Sequence, residues 1–477
     1  MRSLFINTPH YDTDSFLGTP TSIHYATALL TNNTNFIKDG TINFFEPLTQ
    51  NDYYSNLEFY SINKIYDIYA FSSTSHSHWI ALKGATIVKK HQPSSIIIFG
   101  GPHEDELIKA GLSEQTIHKW REFVDVVVKG DGEFALEWVL SNLQTNCVLD
   151  HLYEISSRIN KIPGKGFIDL KSTDNNIYSF RLSGSKLDLN KLPFINWNFV
   201  AENNFYNYPI FKEKNNKVKK TAQLITHRGC KGGCRYCSES QLFNQRSVEN
   251  VIQEIKTLII KYDVKAIFFD DSTFTDDRKY TVSLCNELIK LNIEWGCLTR
   301  FDKVDTELLK LMKESGCSYI YFGLEQYDND ILNKIGKRLD TNKIDEAIHL
   351  CFLFDIRVGL SCLFGIGETN KIAVKTIMKV SQWIREKSVV IVSISANCIH
   401  LGTKNIINDK DKLKVTFDQE PPHKGFPWIA FEEGIWHHPE QFSEKYANFL
   451  LEKVIRNIPI ENLARKKLLL NHVNQLM

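Results

Sequence analysis

The chain has 477 residues, is 43% hydrophobic, and balances 57 basic against 56 acidic residues for a net charge of +1. That length suffices for two or three globular domains, and so even a charge offers no field to attract phosphate, which argues against a nucleic-acid partner. No window approaches the ~20 uncharged apolar residues of a membrane span, and the opening MRSLFINTPHYDTD meets a proline and two aspartates before an apolar segment can develop. The expected location is therefore the cytoplasm, where cysteines point to metal or redox chemistry rather than disulfides.

From the N-terminus, short apolar or β-branched runs recur: SLFIN at Ser3, TINFFE at Thr41, DIYAFSS at Asp67, SSIIIFGG at Ser94 and VDVVVKGDGE at Val124. Amphipathic segments such as HSHWIALKGATIVKKHQ from His76 separate them. Strands alternating with helices predict a Rossmann-like, doubly wound parallel sheet over residues 1–140. Over 141–221 the pattern weakens, predicting a linker or small subdomain whose basic run KEKNNKVKK, Lys212 to Lys220, reads as a solvated loop.

At Cys230, Cys234 and Cys237 the chain carries C-x3-C-x2-C, interleaved with Gly229, Gly232 and Gly233, which let the backbone wrap closely around a bound group. Clustered thiolates select a soft metal. Structural zinc wants four ligands and no second C-x2-C pair exists, although His227 is a candidate fourth ligand; buried thiols are the plain alternative. The spacing favours an iron–sulfur cluster, which with three protein ligands keeps one iron open.

Past the cysteines the alternation is cleaner. Strands are expected at AQLITH (Ala222), VKAIFFDDS (Val264), IEWGCLTRFD (Ile293), CSYIYFGLEQ (Cys317), IRVGLSCLFGIGE (Ile356) and VVIVSISANC (Val389), with five helices between them. This describes a partial (β/α)6 barrel over 222–404, followed by a small C-terminal cap over 405–477. Barrel chemistry gathers at the carboxyl ends of the strands, where Cys230, Asp270, Asp271, Arg300, Glu325 and GIGE fall. Arg300 and Glu325 could equally pair across the mouth, and Gly365 could be a strand-end turn. Cys285 and Cys351 fall on helices, and Cys297, Cys317, Cys362 and Cys398 on strands, where a thiol packs as a small apolar group. Cys297 or Cys362 facing the lumen would instead be a hydrogen-atom donor. The aromatic segment PPHKGFPWIAFEEGIWHHP, Pro421 to Pro439, is expected to cap the barrel, and the residues beyond it to form an amphipathic helix.

CKGGCRYC resembles the cluster motif of the radical S-adenosylmethionine superfamily, and the series FFDDSTFTDD, CLTRFDKVD, KESGCSYIYFGLEQYDNDIL, GIGETNKIAVKTI and LGTK is similar in order and spacing to its barrel from Gln223 to Lys404. The resemblance implies that Cys230, Cys234 and Cys237 hold a 4Fe-4S cluster whose fourth iron chelates S-adenosyl-L-methionine, cleaved by one electron to a 5′-deoxyadenosyl radical. It places Tyr236 near the adenine, makes Asp270, Asp271, Arg300, Glu325, Gly365 and Gly367 candidate cofactor contacts, and implies an electron donor such as flavodoxin or ferredoxin. The N-terminal sheet resembles the cobalamin-binding domain of one branch of that superfamily, through Ser72 and Ser73 in AFSSTSHSHW, Gly100 and Gly101 in IIIFGGPH, and Gly130, Gly132 and Glu133 in VVVKGDGE. The Asp-x-His-x-x-Gly motif that supplies histidine to cobalt is absent, so the lower axial position would fall to His10, His24, His76, His78, water or nothing.

The resemblance implies a cobalamin-dependent radical enzyme methylating an unactivated carbon of a small-molecule or peptide intermediate. A rearranging, cyclising or epimerising enzyme of the same architecture is the alternative. A methylthiolating nucleic-acid modifier is disfavoured because the first cysteine is Cys147 and no basic domain is appended. The intact cluster motif argues against a purely regulatory cobalamin module.

Overall fold

The structure, a computed structural model, describes residues 2–8, 42–45, 50–64, 66–74, 77–101, 123–129, 132–133, 136, 139–140, 167–172, 178–183, 188–195, 197–198, 210–239, 243–396, 403 and 444–463. In the N-terminal half, β1 (Ser3–Asn7), β2 (Ile42–Phe45), β3 (Ile68–Ser72), β4 (Ile96–Gly100) and β5 (Val126–Lys129) fall on the five predicted runs. They lie parallel in the order β2-β1-β3-β4-β5. Helices α1 (Gln50–Asn63) and α2 (His78–His91) pack with alternate strand residues such as Tyr69 and Phe71, while Ile68 and Ala70 are buried on the opposite face. In this strand order the topological switch lies between β1 and β3, whose carboxyl ends open a crevice where open α/β sheets bind ligands.

The sheet runs past residue 140. Strands β6 (Phe167–Ser172) and β7 (Tyr178–Ser183) form an antiparallel hairpin, and β7 adds parallel to β5. In YSFRLS apolar and polar residues alternate, so this strand lacks the continuous apolar run that marks a central strand. Further along the segment expected to be a linker, Leu189, Leu192, Ile195 and Trp197 are buried in the barrel core. The Trp197 indole N–H donates to Glu254 at 2.8 Å, and Glu254 pairs with Arg246 at 2.6 Å, with both side chains buried. Residues 212–217 are exposed, as a solvated loop should be, but Phe211 is fully buried.

The second sheet contains β8 (Thr221–Leu224), β11 (Ala266–Phe269), β12 (Glu294–Thr299), β13 (Cys317–Glu325), β14 (Arg357–Phe364) and β15 (Ile391–Ala396), all parallel and in chain order, open between β15 and β8. Two short strands, β9 (His227–Arg228) and β10 (Asn244–Gln245), pair antiparallel beside the mouth. Helices α3 (Val248–Tyr262), α4 (Arg278–Ile289), α5 (Thr306–Glu314), α7 (Thr341–Leu353) and α8 (Asn370–Arg385) join successive strands, with one further turn, α6 (Asn329–Lys334). Each opens on a Ser, Thr or Asp that accepts a backbone N–H: Ser247, Asp277, Asp305, Asp328, Asp340 and Thr369. Such caps satisfy the orphan donors of a first helical turn.

Alternation along the strands divides inside from outside. Ile320, Phe322 and Leu324 join the large core against the helices, whereas Phe268 and Tyr319 gather with Phe211 in a separate cluster that fills the amino end of the barrel. The lumen is therefore filled by apolar side chains at its amino end. Helix α9 (Glu444–Asn457), expected from the amphipathic C-terminal pattern, packs Ala447, Leu450 and Val454 into the barrel core, and Ser381 of α8 donates to Asn457 O. The aromatic segment expected to cap the barrel lies outside the described residues.

Candidate functional site

The cysteine loop leaves β9 at Gly229 and turns again at Gly233, both with positive φ (82° and 70°), a conformation glycine adopts without steric cost. Each thiol sulfur then faces an N–H donor. Gly232 N lies 3.3 Å from Cys230 Sγ, Arg300 Nη1 3.3 Å from Cys234 Sγ, and Glu239 N 3.4 Å from Cys237 Sγ. Thr273 Oγ1 is a further 3.3 Å neighbour of Cys230 Sγ. Donors aimed at all three sulfurs suit thiolates that carry negative charge in a bound state. Asp276 anchors the loop by accepting from Lys231 N at 2.7 Å, and its other oxygen pairs with Lys303 at 3.2 Å.

Zinc with His227 as fourth ligand does not fit this geometry. Among the described residues no three Cys, His, Asp or Glu side chains group as the ligands of one ion. The His227 ring is buried, its Nδ1 lies 3.0 Å from Thr226 Oγ1, and it packs on Phe243. Three separate thiols, each with its own N–H, fit a cluster that assigns one iron to each sulfur.

The other predicted residues take several positions. Arg300 belongs to the cysteine loop: besides Cys234 it donates to both Asp302 oxygens and to Lys337 O. Glu325, in the left-handed region (φ 61°) at the end of β13, accepts from Tyr236 Oη at 2.9 Å and from Lys337 Nζ at 2.6 Å. Arg300 and Glu325 thus each have a different partner instead of pairing across the mouth. Burial, then the Glu325 charge, holds the Tyr236 phenol well above its usual range.

Asp271 is buried inside the wall, where its oxygens accept from Thr226 N, His227 N and Thr226 Oγ1 at 2.7–2.9 Å, fixing the turn that precedes the loop. Asp270 is the more open neighbour, and burial followed by the Asp271 charge pushes its carboxyl up to about 7. At the GIGE turn, the Gly365 and Ile366 N–H groups both donate to the Glu368 carboxylate, at 2.7 and 2.9 Å, so these two donors are already used within the protein. Gly367, at φ 100°, lies against the Lys334 side chain. Cys297 and Cys362 are not lumen donors: both sit in the core against the helices, where burial drives the thiols far above their usual range.

Across from the cysteine loop lies the carboxyl edge of the N-terminal sheet. Ser73 N donates to Gly100 O, and a side chain at Gly101 (φ 116°) would place its Cβ 2.5 Å from Ser73 O, so the β3 and β4 ends are pressed together with Ser72 and Ser73 beside them. Ser73 Oγ lies 3.1 Å from Nδ1 of His78, which is buried against Phe99 and therefore turned into the core. Gly132 begins a helical turn by accepting from Leu136 N. Glu133, 2% exposed, reaches across to pair with Arg228 of β9, two residues before Cys230. Gly130, His10, His24 and His76 lie outside the described residues.

Sequence reasoning missed Arg228, Asp276, Lys337 and Glu368. Asp276 stands within the quoted FFDDSTFTDD, where a second carboxylate pair after a strand was a usable signal. Lys337 had none, because its partner is twelve residues away on another element.

Residues 224–380 match the radical SAM superfamily family model. An uncharacterised methyltransferase of Pyrococcus horikoshii is 25% identical over 66% of this chain and 63% of its own length. An anaerobic magnesium-protoporphyrin IX monomethyl ester cyclase of Cereibacter sphaeroides is 24% identical over 64% of this chain and 47% of its own. The chain thus spans about half to just under two-thirds of these curated relatives. Among solved structures, the radical S-adenosylmethionine methyltransferase TsrM of Kitasatospora setae, with cobalamin and a [4Fe-4S] cluster bound, superposes with a TM-score of 0.61 at 14% identity over 86% of this chain and 75% of that one. The N-terminal sheet and open barrel together have that fold, and the barrel segment 224–380 is the part of the chain that matches the radical SAM superfamily.

Proposed function

We propose that the chain is a cobalamin-dependent radical S-adenosylmethionine enzyme that methylates an unactivated carbon of a small-molecule or peptide intermediate. One observation carries this reading: three thiols, each facing an N–H donor, stand at the carboxyl end of an open barrel and are tied by Arg228–Glu133 to the carboxyl edge of a second sheet. A superposed methyltransferase has cobalamin and a [4Fe-4S] cluster bound. When bound, the cluster would supply the electron that splits S-adenosylmethionine, and cobalamin a transferable methyl group.

The protein's own residues then have defined tasks. Cys230, Cys234 and Cys237 would hold the cluster, with Gly232 N, Glu239 N and the Arg300 guanidinium stabilising their charge. Tyr236, oriented by Glu325 and Lys337, would form one wall beside the cofactor, and Asp270 would face it from β11. Phe211, Phe268 and Tyr319 close the amino end of the lumen and keep water from entering there. On the second sheet, Ser72, Ser73, Gly100, Gly101, Gly130, Gly132 and Glu133 would line the corrinoid, with no protein histidine on cobalt. No helix among the described residues is long and apolar enough to cross a membrane. A cytoplasmic location and an electron donor such as flavodoxin or ferredoxin complete the proposal, which includes no nucleic-acid partner.

Reaction with methyl-labelled S-adenosylmethionine tests the chemistry. Label should appear on a substrate carbon, with 5′-deoxyadenosine and S-adenosylhomocysteine in comparable amounts, because one molecule would start the reaction and another recharge cobalt. The similarity to a cyclase favours a second reading, radical cyclisation or rearrangement without methylation. Product formed with 5′-deoxyadenosine but with no label and no S-adenosylhomocysteine would establish that reading instead. Cob(II)alamin bound to the protein should show no nitrogen superhyperfine splitting in its electron paramagnetic resonance spectrum.

A further inference from the structure

Glu133 presents a problem of buried polarity. Its side chain is 2% exposed, and among the described residues Oε1 pairs with the Arg228 guanidinium while Oε2 has no hydrogen-bond partner. A buried oxygen without a donor is costly, the more so on a charged group. The Arg228 pair already balances the carboxylate's charge, so the donor that Oε2 lacks should be neutral, an amide N–H rather than a metal ion or ammonium. A corrin ring carries such donors around its rim as primary carboxamides.

The other end of the pair is equally constrained. Arg228 is held in β9 opposite Asn244, and only Gly229 separates it from Cys230. A displacement of the Arg228 backbone is therefore passed to the first cluster ligand through a single residue. Glu133 itself sits where a helical turn begins directly after β5, at the carboxyl edge of the N-terminal sheet.

From this geometry we propose that Glu133 is a positioning residue joining the two cofactor sites: Oε2 accepts an N–H from a corrin carboxamide while Oε1, through Arg228, sets the strand that carries Cys230. The inference rests on the cobalamin reading above. It makes corrinoid binding and cluster assembly thermodynamically coupled, since anything that orders one end of the pair favours the other and the coupling must be reciprocal.

The test is the dissociation constant for hydroxocobalamin, followed by corrinoid absorbance, in cluster-free and cluster-loaded protein. Cluster loading should tighten binding by about fivefold or more in the unaltered protein, at the lower end of ordinary site–site coupling. In Glu133→Ala and Arg228→Met that ratio should fall towards one, and Arg228→Met should lose it although Arg228 is not the residue assigned to the corrin. Glu133→Gln keeps the side-chain volume and serves where Glu133→Ala does not fold; it should also lose the ratio, because its amide cannot accept at both positions. A purely structural Glu133 would weaken both forms equally and leave the ratio unchanged. That outcome, or a ratio of one in the unaltered protein, overturns the inference, whereas no hydroxocobalamin binding in either form overturns the cobalamin reading itself.

Discussion

Replacing Lys337 by Met should destabilise the barrel. Lys337 and Glu325 are 3% and 7% exposed, with Nζ 2.6 Å from Oε1, and the same ammonium donates to Gly323 O. Methionine keeps the bulk of the stem but leaves Glu325 buried with the Tyr236 hydroxyl as its remaining donor in this group. Breaking a buried pair by removing one partner costs roughly 3–5 kcal/mol. Urea unfolding of cluster-free protein measures this without metal linkage, as a lower midpoint at unchanged slope. Lys337→Met/Glu325→Leu should recover most of the stability, since removing both charges of a buried pair is often close to neutral. A loss under about 1 kcal/mol would refute the assignment of a buried, desolvated pair.

Three further outcomes follow from other contacts. Arg300→Gln removes a positive charge 3.3 Å from Cys234 Sγ and should lower the midpoint potential of the reconstituted cluster, because hydrogen bonds and net charge at the sulfurs set that potential; spectroelectrochemistry showing an unchanged or higher value would count against it. Asp270, pushed up to about 7 by burial, holds a proton in the native state between its ordinary pKa of 3.8 and about 7. Stability therefore falls with rising pH across that window, by at most about 4 kcal/mol, and Asp270→Asn should flatten the profile and melt higher than the unaltered protein at pH 8. Glu254→Gln, which leaves Arg246 buried beside an amide, should cost about 3–5 kcal/mol in urea unfolding followed by tryptophan fluorescence, and a value within about 1 kcal/mol of the unaltered protein would contradict the buried pair.

Apart from the β6–β7 hairpin, the strands of both sheets and the helices between the barrel strands were legible in the sequence because each has a local cause. Ile, Val and Phe runs such as IIIFG and AIFF form buried parallel strands, and each barrel helix begins at a Ser, Thr or Asp in the sequence. C-x3-C-x2-C is likewise a local pattern, with its glycines supplying the two positive-φ turns in place. Pairing across the fold was not legible. Whether Cys297 faced lumen or helices depended on strand register, and a shift of one residue would have reversed it. That Arg300 turns to Cys234, that Glu325 takes Lys337, and that Asp271 is spent on the Thr226 turn depended on which elements the barrel brings together. The hairpin of β6 and β7 joined the first sheet instead of serving as a linker because a free strand edge at β5 was there to pair with β7, and a strand edge exists only once the sheet has formed. The same is true of Glu133 and Arg228, whose 95-residue separation in the chain is closed by the meeting of the two carboxyl edges. Local chemistry specifies elements and metal-binding loops, while the partners of buried charges are set by distances that exist only in the folded chain.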